Sequence, residues 1–288
     1  MDQLPLVDTA DDHGKRLIVS SRLRASQPAL SFTVSALPQN DEVSAMSTHT
    51  DTADNQPAGS ISGSAPYAIY SERASASLSV AQQVVDLVLH RLANGENIRV
   101  LGLTGPPGTG KTTVAALVAE ILETADVAVA GIAPMDGFHM SNAVLDDLEC
   151  HDRKGAPDTF DIWGYETLLA RIQASEHPVF APDYNRGLHE PVAASILIPT
   201  EGIVITEGNY LAFDEPGWRE ARGHIDFLVH IDTPTDAVMR RLVTRHEAFG
   251  KCRADAAHWV RTVDAPNIEL VAECASRADA IVSPQTGE

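Results

Sequence analysis

Apolar and polar residues follow two periodic patterns along most of the chain. From residue 66 onwards, short runs of β-branched and other apolar residues alternate with longer stretches in which apolar residues recur every three or four positions. The short runs predict strands at 99–104, 127–132, 203–205, 227–231 and 280–282, and the longer stretches predict helices near 80–92, 113–122, 164–173, 234–248 and 263–275. Because strands alternate with helices, we predict an α/β fold in which a parallel sheet carries helices on both faces.

The first 65 residues have neither pattern. They are rich in Ser, Thr, Ala, Asp, Asn and Pro, with only short apolar clusters such as 17–19 and 30–34. Such a segment buries too little apolar surface to offset its chain entropy, which predicts a disordered tail. Two alternatives are a transit peptide at 15–37 and an incorrectly assigned translation start, with Met46 as the true start. The predicted domains are this tail or incorrect start at 1–65 and one folded domain at 66–288.

The net charge and the cysteines restrict the class of partner. A formal net charge of −19 and an aromatic content of 5 % argue against nucleic acid or an anionic membrane as partners, since both need a basic surface. No apolar run approaches the roughly 18 to 20 residues of a membrane-spanning helix. Cys150, Cys252 and Cys274 are isolated, so we expect neither disulfides nor a zinc site, and a cytoplasmic location. The sequence leaves open whether the protein is a monomer or a homodimer.

A glycine-rich motif follows the first predicted strand of the folded domain. Its form, G-x-x-x-x-G-K-[ST] between a strand and a helix, is that of a phosphate-binding loop. The glycines allow backbone N–H groups to point inward, and the helix N-terminus adds the positive end of its dipole. The Lys111 ammonium suits the β- and γ-phosphate oxygens, and the Thr112 hydroxyl suits Mg²⁺. The motif predicts binding of a nucleoside triphosphate by Gly105, Pro106, Pro107, Gly108, Thr109, Gly110, Lys111, Thr112 and Thr113.

An acid, Asp136, follows the strand predicted at 127–132. A carboxylate at the carboxyl end of a strand next to the phosphate loop would face the γ-phosphate. There it can accept the proton of an attacking hydroxyl or hold water on Mg²⁺. The alternative is that Asp136 and Gly137 form only a turn. Asp136 is therefore a candidate general base.

Four motifs in order resemble those of the P-loop kinases that include uridine kinase, phosphoribulokinase and bacterial pantothenate kinase. Asp-Gly-Phe at 136–138 is similar to an Asp-x-Phe element of that group, and Lys-Gly-Ala-Pro-Asp-Thr-Phe-Asp at 154–161 to a pantothenate kinase element. Pro182-Asp-Tyr followed by His189 is similar to a uridine kinase hairpin, and Glu-Gly at 207–208 to the end of a family strand. The resemblance covers about 98–282. It implies a P-loop NTPase-type sheet with an acceptor-binding hairpin flap and a helical lid, and ATP and Mg²⁺ as cofactors.

The resemblance also implies roles for residues on the strand and the hairpin. Glu207 ends an apolar run and would help Thr112 to hold Mg²⁺; a helix-capping or surface acid is the alternative. Tyr184, Arg186 and His189 would bind the acceptor from the hairpin, with Arg186 meeting an anionic group. The alternatives are packing within the flap and, for Arg186, solvation.

The helix predicted at 234–248 resembles the helix that leads into the family's lid. It carries Arg240, Arg241 and Arg245, of which the last two are four residues apart and share one face. Arg241 and Arg245 would stabilise the negative charge that spreads over the transferring phosphoryl group. Basic residues near a helix C-terminus can instead complement the helix dipole.

These motifs predict an ATP-dependent kinase that transfers the γ-phosphoryl group to a hydroxyl of a small metabolite. Nucleoside-, pantothenate- and sugar-like acceptors all remain open. Uridine kinases carry an acid where this chain has Gly155, which weakens the prediction of a ribose diol. The alternative function is a regulatory switch that binds an adenine nucleotide, since the N-K-x-D and T-K-x-D motifs of guanine-specific switches are absent from the sequence.

Overall fold

The chain divides into two units, Met1–Gly63 and Ser64–Glu288. A computed structural model describes residues 7–10, 16–21, 32–36 and 65–284. In the first unit, three strands pair antiparallel in the order β1-β2-β3. They are β1 (Val7–Ala10), β2 (Arg16–Ser21) and β3 (Phe32–Ala36). The rest of 1–64 lies outside the described residues, so the tail or incorrect start predicted for 1–65 stays a prediction.

The second unit is built on a five-stranded parallel sheet, which confirms the predicted α/β class. Its strands are β4 (Val100–Thr104), β5 (Val129–Pro134), β8 (Ile203–Gly208), β9 (Phe227–Ile231) and β10 (Ala280–Val282), in the spatial order β10-β9-β4-β8-β5. A separate antiparallel hairpin consists of β6 (Val179–Asn185) and β7 (Glu190–Ile198). The helices are α1 (Ala65–Ala93), α2 (Lys111–Thr124), α3 (Asn142–Asp147), α4 (Ile162–Ala174), α5 (Trp218–Arg222), α6 (Thr235–Ala248), α7 (Arg253–Trp259) and α8 (Ala265–Glu273).

The sheet is covered on both faces. Every residue of β4, β8 and β9 is buried, as expected of central parallel strands in an α/β fold. On one face, Val204 and Leu228 belong to a core cluster that includes residues of α4, α5 and α8. Helix α2 packs against β4, β5 and β8, and α1 packs against α2. Among the described residues, no helix combines the length and the apolar character needed to cross a membrane.

Several elements differ from the prediction: α1 begins at Ala65 instead of near residue 80, and α3, α5 and α7 were not predicted. Three of the differences have a physical reason. Strand β5 starts at Val129 because the N–H of Val127 still bonds to Leu122 O and closes the end of α2. Helix α7 was not predicted because its sequence is rich in alanine, with only Ala256 buried, and so lacks an apolar period. A π-helical segment, Val260–Asp264, joins α7 to α8, so the first two residues of the helix predicted at 263–275 belong to this segment.

The carboxyl ends of β4, β8 and β5 meet at one edge of the sheet. Thr104 pairs with Gly208, and Glu207 pairs with Pro134. The phosphate loop continues from β4, and a short 3₁₀ turn, Met135–Phe138, continues from β5. The sequence motifs of these three strands therefore converge, as expected for ligand sites in open α/β sheets.

Candidate active site

The phosphate loop connects β4 to the first residue of α2. Its glycines are required by the backbone: Gly110, the N-cap residue of α2, has a φ of 94°, which disfavours a side chain. At Gly105, a Cβ atom would lie only 2.7 Å from the carbonyl oxygen of Ile231 in β9. The loop therefore closes tightly between two strands and leaves its N–H groups at the N-terminus of α2, a favourable place for an anion.

The Lys111 ammonium is buried against its own loop. Its Nζ donates to Gly105 O at 2.9 Å, to Pro106 O at 3.0 Å and to the side-chain oxygen of Asn209 at 2.7 Å. Burial lowers the pKa of Lys111 to about 8, although the charges of Glu207 and Asp136 oppose this shift. A phosphate that replaced these neutral acceptors would give the buried cation a negative partner.

Thr112 and Glu207 form a pair beside the loop. The Thr112 hydroxyl donates to Glu207 Oε1 at 2.9 Å. Burial raises the pKa of the Glu207 carboxyl, and the charge of Asp136 raises it further, while Lys111 and the Thr112 hydrogen bond lower it. A hydroxyl and a carboxylate are hard oxygen ligands of the kind that Mg²⁺ uses together with water and substrate phosphates. This donor set fits Mg²⁺ that arrives with a nucleotide.

Asp136 lies in the 3₁₀ turn that follows β5. Its carboxylate is within electrostatic reach of Lys111, Glu207 and Tyr184, since it raises the pKa of each. The structure thus brings together an acid from the turn after β5, an acid from β8 and the lysine of the phosphate loop. In such a set of residues, the lysine can bind a phosphate and a carboxylate can receive a proton.

The hairpin of β6 and β7 places Tyr184 beside the Asp136 turn. The Tyr184 ring lies 4.9 Å from the ring of His139, and burial raises the pKa of Tyr184. The charge of Arg186 lowers the pKa of both Tyr184 and Glu207. His189 is exposed, and its ring packs 6.2 Å from that of Phe249, the C-cap residue of α6.

Helix α6 carries two arginines towards the site and one away from it. Arg241 Nη1 makes long hydrogen bonds to Gly108 O at 3.4 Å and Thr109 O at 3.3 Å in the phosphate loop. The charge of Arg245, one helical turn further, lowers the pKa of Lys111 and of Tyr184. Arg240 instead pairs with Asp236 on the surface, where its side chain is 70 % exposed.

Three residues in this region were not singled out by the sequence analysis: Asn209, His139 and Lys154. Asn209 follows the Glu-Gly motif and accepts a hydrogen bond from Lys111. His139 packs between the rings of Phe160, at 4.1 Å, and Tyr184. Lys154 Nζ lies 5.4 Å from the centre of the Tyr184 ring. All three fall inside or next to quoted motifs, but only their packing in three dimensions distinguishes them from neighbouring polar residues.

Comparisons with known proteins identify the family of the chain. A sequence model of the Phosphoribulokinase / Uridine kinase family matches residues 100–286. An uncharacterized protein, YggC, of Escherichia coli K12 is 36 % identical over 202 residues, which are 68 % of this chain and 84 % of that protein.

Solved structures share the fold of this chain. The crystal structure of a candidate fructose transport system kinase from Silicibacter sp. TM1040 has a TM-score of 0.64 and 30 % identity, over 72 % of this chain and 98 % of that chain. YFH7 from Saccharomyces cerevisiae, described as a candidate P-loop kinase with a circular permutation, has a TM-score of 0.59 at 19 % identity, over 74 % and 99 %. At that identity the likeness shows the fold alone.

Proposed function

Because the chain belongs to the phosphoribulokinase and uridine kinase family, we propose that it is a kinase that transfers the γ-phosphoryl group of ATP to a hydroxyl of a small metabolite. The observation that carries this proposal is the convergence of Lys111, Asp136 and Glu207 between the phosphate loop and the hairpin. A protein that only bound a nucleotide would need the loop but no second acid facing an aromatic flap.

The nucleotide would be held by the loop amides and by Lys111 on its β- and γ-phosphates. Thr112 and Glu207 would hold Mg²⁺, which, when bound, neutralises charge on the phosphate oxygens. Arg241 and Arg245 would add positive charge on the lid side of the transferring group. These groups are fixed by the fold before the reaction begins, so positioning and electrostatics would supply most of the rate enhancement.

Asp136 would orient the acceptor and receive its proton. The acceptor oxygen forms a bond to the γ-phosphorus, the bond from that phosphorus to the β,γ-bridging oxygen breaks, and ADP leaves with the bond's electron pair. The hydroxyl proton passes to the Asp136 carboxylate. Tyr184, Arg186 and His189 would hold the acceptor from the hairpin.

The position of Gly155 supports an acceptor other than a nucleoside. A carboxylate there would bind a ribose diol, but Gly155 has no side chain, and nothing lies within 4 Å of the place where a Cβ would be. The Gly155 carbonyl is itself used, since it accepts the Tyr210 hydroxyl at 2.6 Å. The net charge of −19 supports a small molecule as the partner over a nucleic acid or an anionic membrane.

The function is tested by ADP release from ATP and Mg²⁺ across a panel of nucleosides, pantothenate and simple sugars, with Lys111→Ala as the blank. We expect turnover that depends on an acceptor and is abolished in the blank. Asp136→Asn should lower kcat by about 10²-fold or more while ATP binding, measured by calorimetry, stays within about twofold. Equal turnover by Asp136→Asn would remove Asp136 from the role of base.

A further inference from the structure

The side chain of Asn209 contacts Lys111 from outside the phosphate loop. On the basis of the proposed nucleotide site, we propose that Asn209 is a positioning residue that acts through Lys111: in the free protein, its amide oxygen occupies the place on the ammonium that a phosphate oxygen of the nucleotide takes. Binding of a nucleotide would then exchange one acceptor for another on the same cation. Departure of ADP would reverse the exchange, so Asn209 would favour the release of product.

All the donors of the Lys111 ammonium are in use in the free protein. Its Nζ donates to the backbone oxygens of Gly105 and Pro106, at 2.9 and 3.0 Å, and to Asn209 Oδ1, at 2.7 Å. An ammonium has three N–H donors and no acceptor, so the Asn209 atom that faces it is the amide oxygen. Lys111 is only 7 % exposed. A phosphate oxygen that binds to this buried cation therefore has to replace one of the acceptors.

Two of these acceptors belong to the backbone of the loop and are held in place. Pro106 O also accepts the N–H of Thr109, at 3.3 Å, which closes a turn within the loop. Gly105 lies so close to β9 that an added Cβ would be 2.7 Å from Ile231 O. Neither carbonyl can turn away from Lys111 without a change in the loop that forms the anion site.

Asn209 is the acceptor that can leave. It follows Gly208, the last residue of β8, which pairs with Thr104 of β4, and the backbone oxygen of Asn209 accepts the Thr104 hydroxyl at 3.1 Å. The backbone at Asn209 is therefore fixed, but a rotation about the bonds of its side chain is enough to release Lys111. Asn209 is also partly exposed, so the released amide can be hydrated. The exchange requires no change in the backbone.

A neutral acceptor on Lys111 is notable because two acids are near. The charges of Glu207 and Asp136 both raise the pKa of Lys111. Among the residues that the structure describes, however, neither acid forms an ion pair with the ammonium, which donates to neutral oxygens instead. Hydrogen bonds between two charged groups are stronger than those to a neutral group. A phosphate therefore displaces the Asn209 amide more readily than it would displace a carboxylate.

The sign of the effect on affinity separates this role from a structural one. A contact that is made in the free protein and lost in the complex opposes binding by its own free energy, so its removal makes binding tighter. A contact that persists in the complex, or that only supports the fold, would weaken binding or leave it unchanged when it is removed. The proposed exchange therefore predicts a gain of affinity on removal of the Asn209 amide.

The test variant is Asn209→Leu, which removes the amide with little change in volume and leaves no room for a water in its place. The affinity for ADP in the presence of Mg²⁺ is measured by calorimetry. We expect Kd to fall by about tenfold, the lower end of the range for a hydrogen bond to a charged group. Asn209→Ala leaves room for a water at the ammonium and should lower Kd by less. It also serves as the second variant if the leucine variant does not fold.

Three controls assign the effect to Lys111. AMP lacks the β-phosphate that Lys111 would bind, so its affinity should change by less than about twofold in Asn209→Leu. In a Lys111→Ala background, Asn209→Leu should no longer change the affinity for ADP, as expected of two residues that act through one contact. Tyr210→Phe is the matched control, because it removes a hydrogen bond, to Gly155 O, at the next residue along the chain and should leave the affinity for ADP unchanged.

Weaker or unchanged binding of ADP in both Asn209 variants would overturn the proposal. An equal gain of affinity for AMP, or in the Lys111→Ala background, would overturn it as well. These measurements need no acceptor, so they are independent of phosphoryl transfer. If the protein binds ADP but phosphorylates no acceptor, the proposed kinase function fails, while the ADP series still decides the role of Asn209. No binding of ADP by the unaltered protein would overturn both.

Discussion

The contact between the Asp136 turn and the hairpin offers a sharp test of how the acceptor is positioned. At Gly137, an added Cβ would lie 2.7 Å from the carbonyl carbon of Pro182 in β6, and closer still to its oxygen. Both partners are backbone atoms, so neither can move away by a side-chain rotation. In Gly137→Ala, the hairpin that carries Tyr184 must therefore move away from Asp136.

The size of the displacement follows from this distance. Non-bonded carbon atoms prefer a separation of about 3.5 to 4.0 Å, so the two backbones must separate by about 1 Å. A displacement of that size between a reacting group and its partner can cost about 10²-fold in rate. We expect kcat/KM for the best acceptor of the panel to fall by roughly that factor, and the affinity for ATP to stay within about twofold, since the phosphate loop is not part of the contact.

Gly187→Ala is the matched control for this prediction. Gly187 lies in the turn of the same hairpin, and its added Cβ would meet only the side-chain oxygen of Asn185, at 3.3 Å. This oxygen accepts the N–H groups of Gly187 and Leu188, and a small shift of the side chain relieves the contact, so the control should retain its acceptor kinetics. If Gly137→Ala is folded and keeps kcat/KM for the acceptor within twofold, the hairpin does not position the acceptor and the reasoning is refuted.

Two further predictions concern charge in the phosphate site. Because the pKa of Lys111 in the free protein is about 8 and its protonated form binds phosphate, kcat/KM for ATP should fall by up to about tenfold per pH unit above pH 8; a flat profile to pH 10 would contradict this. The raised pKa of Glu207 means that the folded state binds its proton more tightly than the unfolded chain, so folding stability falls as the pH rises above the ordinary carboxyl value. Glu207→Gln should therefore raise the melting temperature at neutral pH by about 2 to 4 °C, equivalent to ~1 kcal/mol, and weaken the dependence of activity on Mg²⁺. Unchanged Mg²⁺ dependence, in a titration of initial rates, would remove Glu207 from the metal site.

The sheet could be predicted from the sequence because its signals are local. Each strand is a short apolar run, and the phosphate loop is a contiguous motif whose glycines have a direct backbone reason. Helix α7 could not be predicted, because it buries only Ala256 and is positioned by its contacts with α6. The start of β5 was misplaced because the last hydrogen bond of α2 extends to Val127, which a propensity pattern does not reveal.

Some features of the candidate site could likewise be predicted from the sequence, and others could not. The approach of Asp136 to Glu207 could not be predicted: the sequence analysis placed the strand before Asp136 next to the phosphate loop, whereas β8 lies between β4 and β5. Lys154 could not be identified from its own segment, because its partners, Asn142 and the carbonyl of His189, come from α3 and the hairpin turn. Helical spacing explains why Arg241 lies near the phosphate loop while Arg240, the residue before it, lies on the surface.

The central claim is that the γ-phosphoryl group leaves ATP for a hydroxyl of a second molecule. The most direct measurement uses ATP labelled in the γ-phosphate and follows the label into the acceptor and into inorganic phosphate. Kinase activity predicts one labelled acceptor for each ADP released, and no label transfer in Lys111→Ala. Label found only in inorganic phosphate, at a rate that no acceptor changes, would contradict the claim and indicate a nucleotide switch instead.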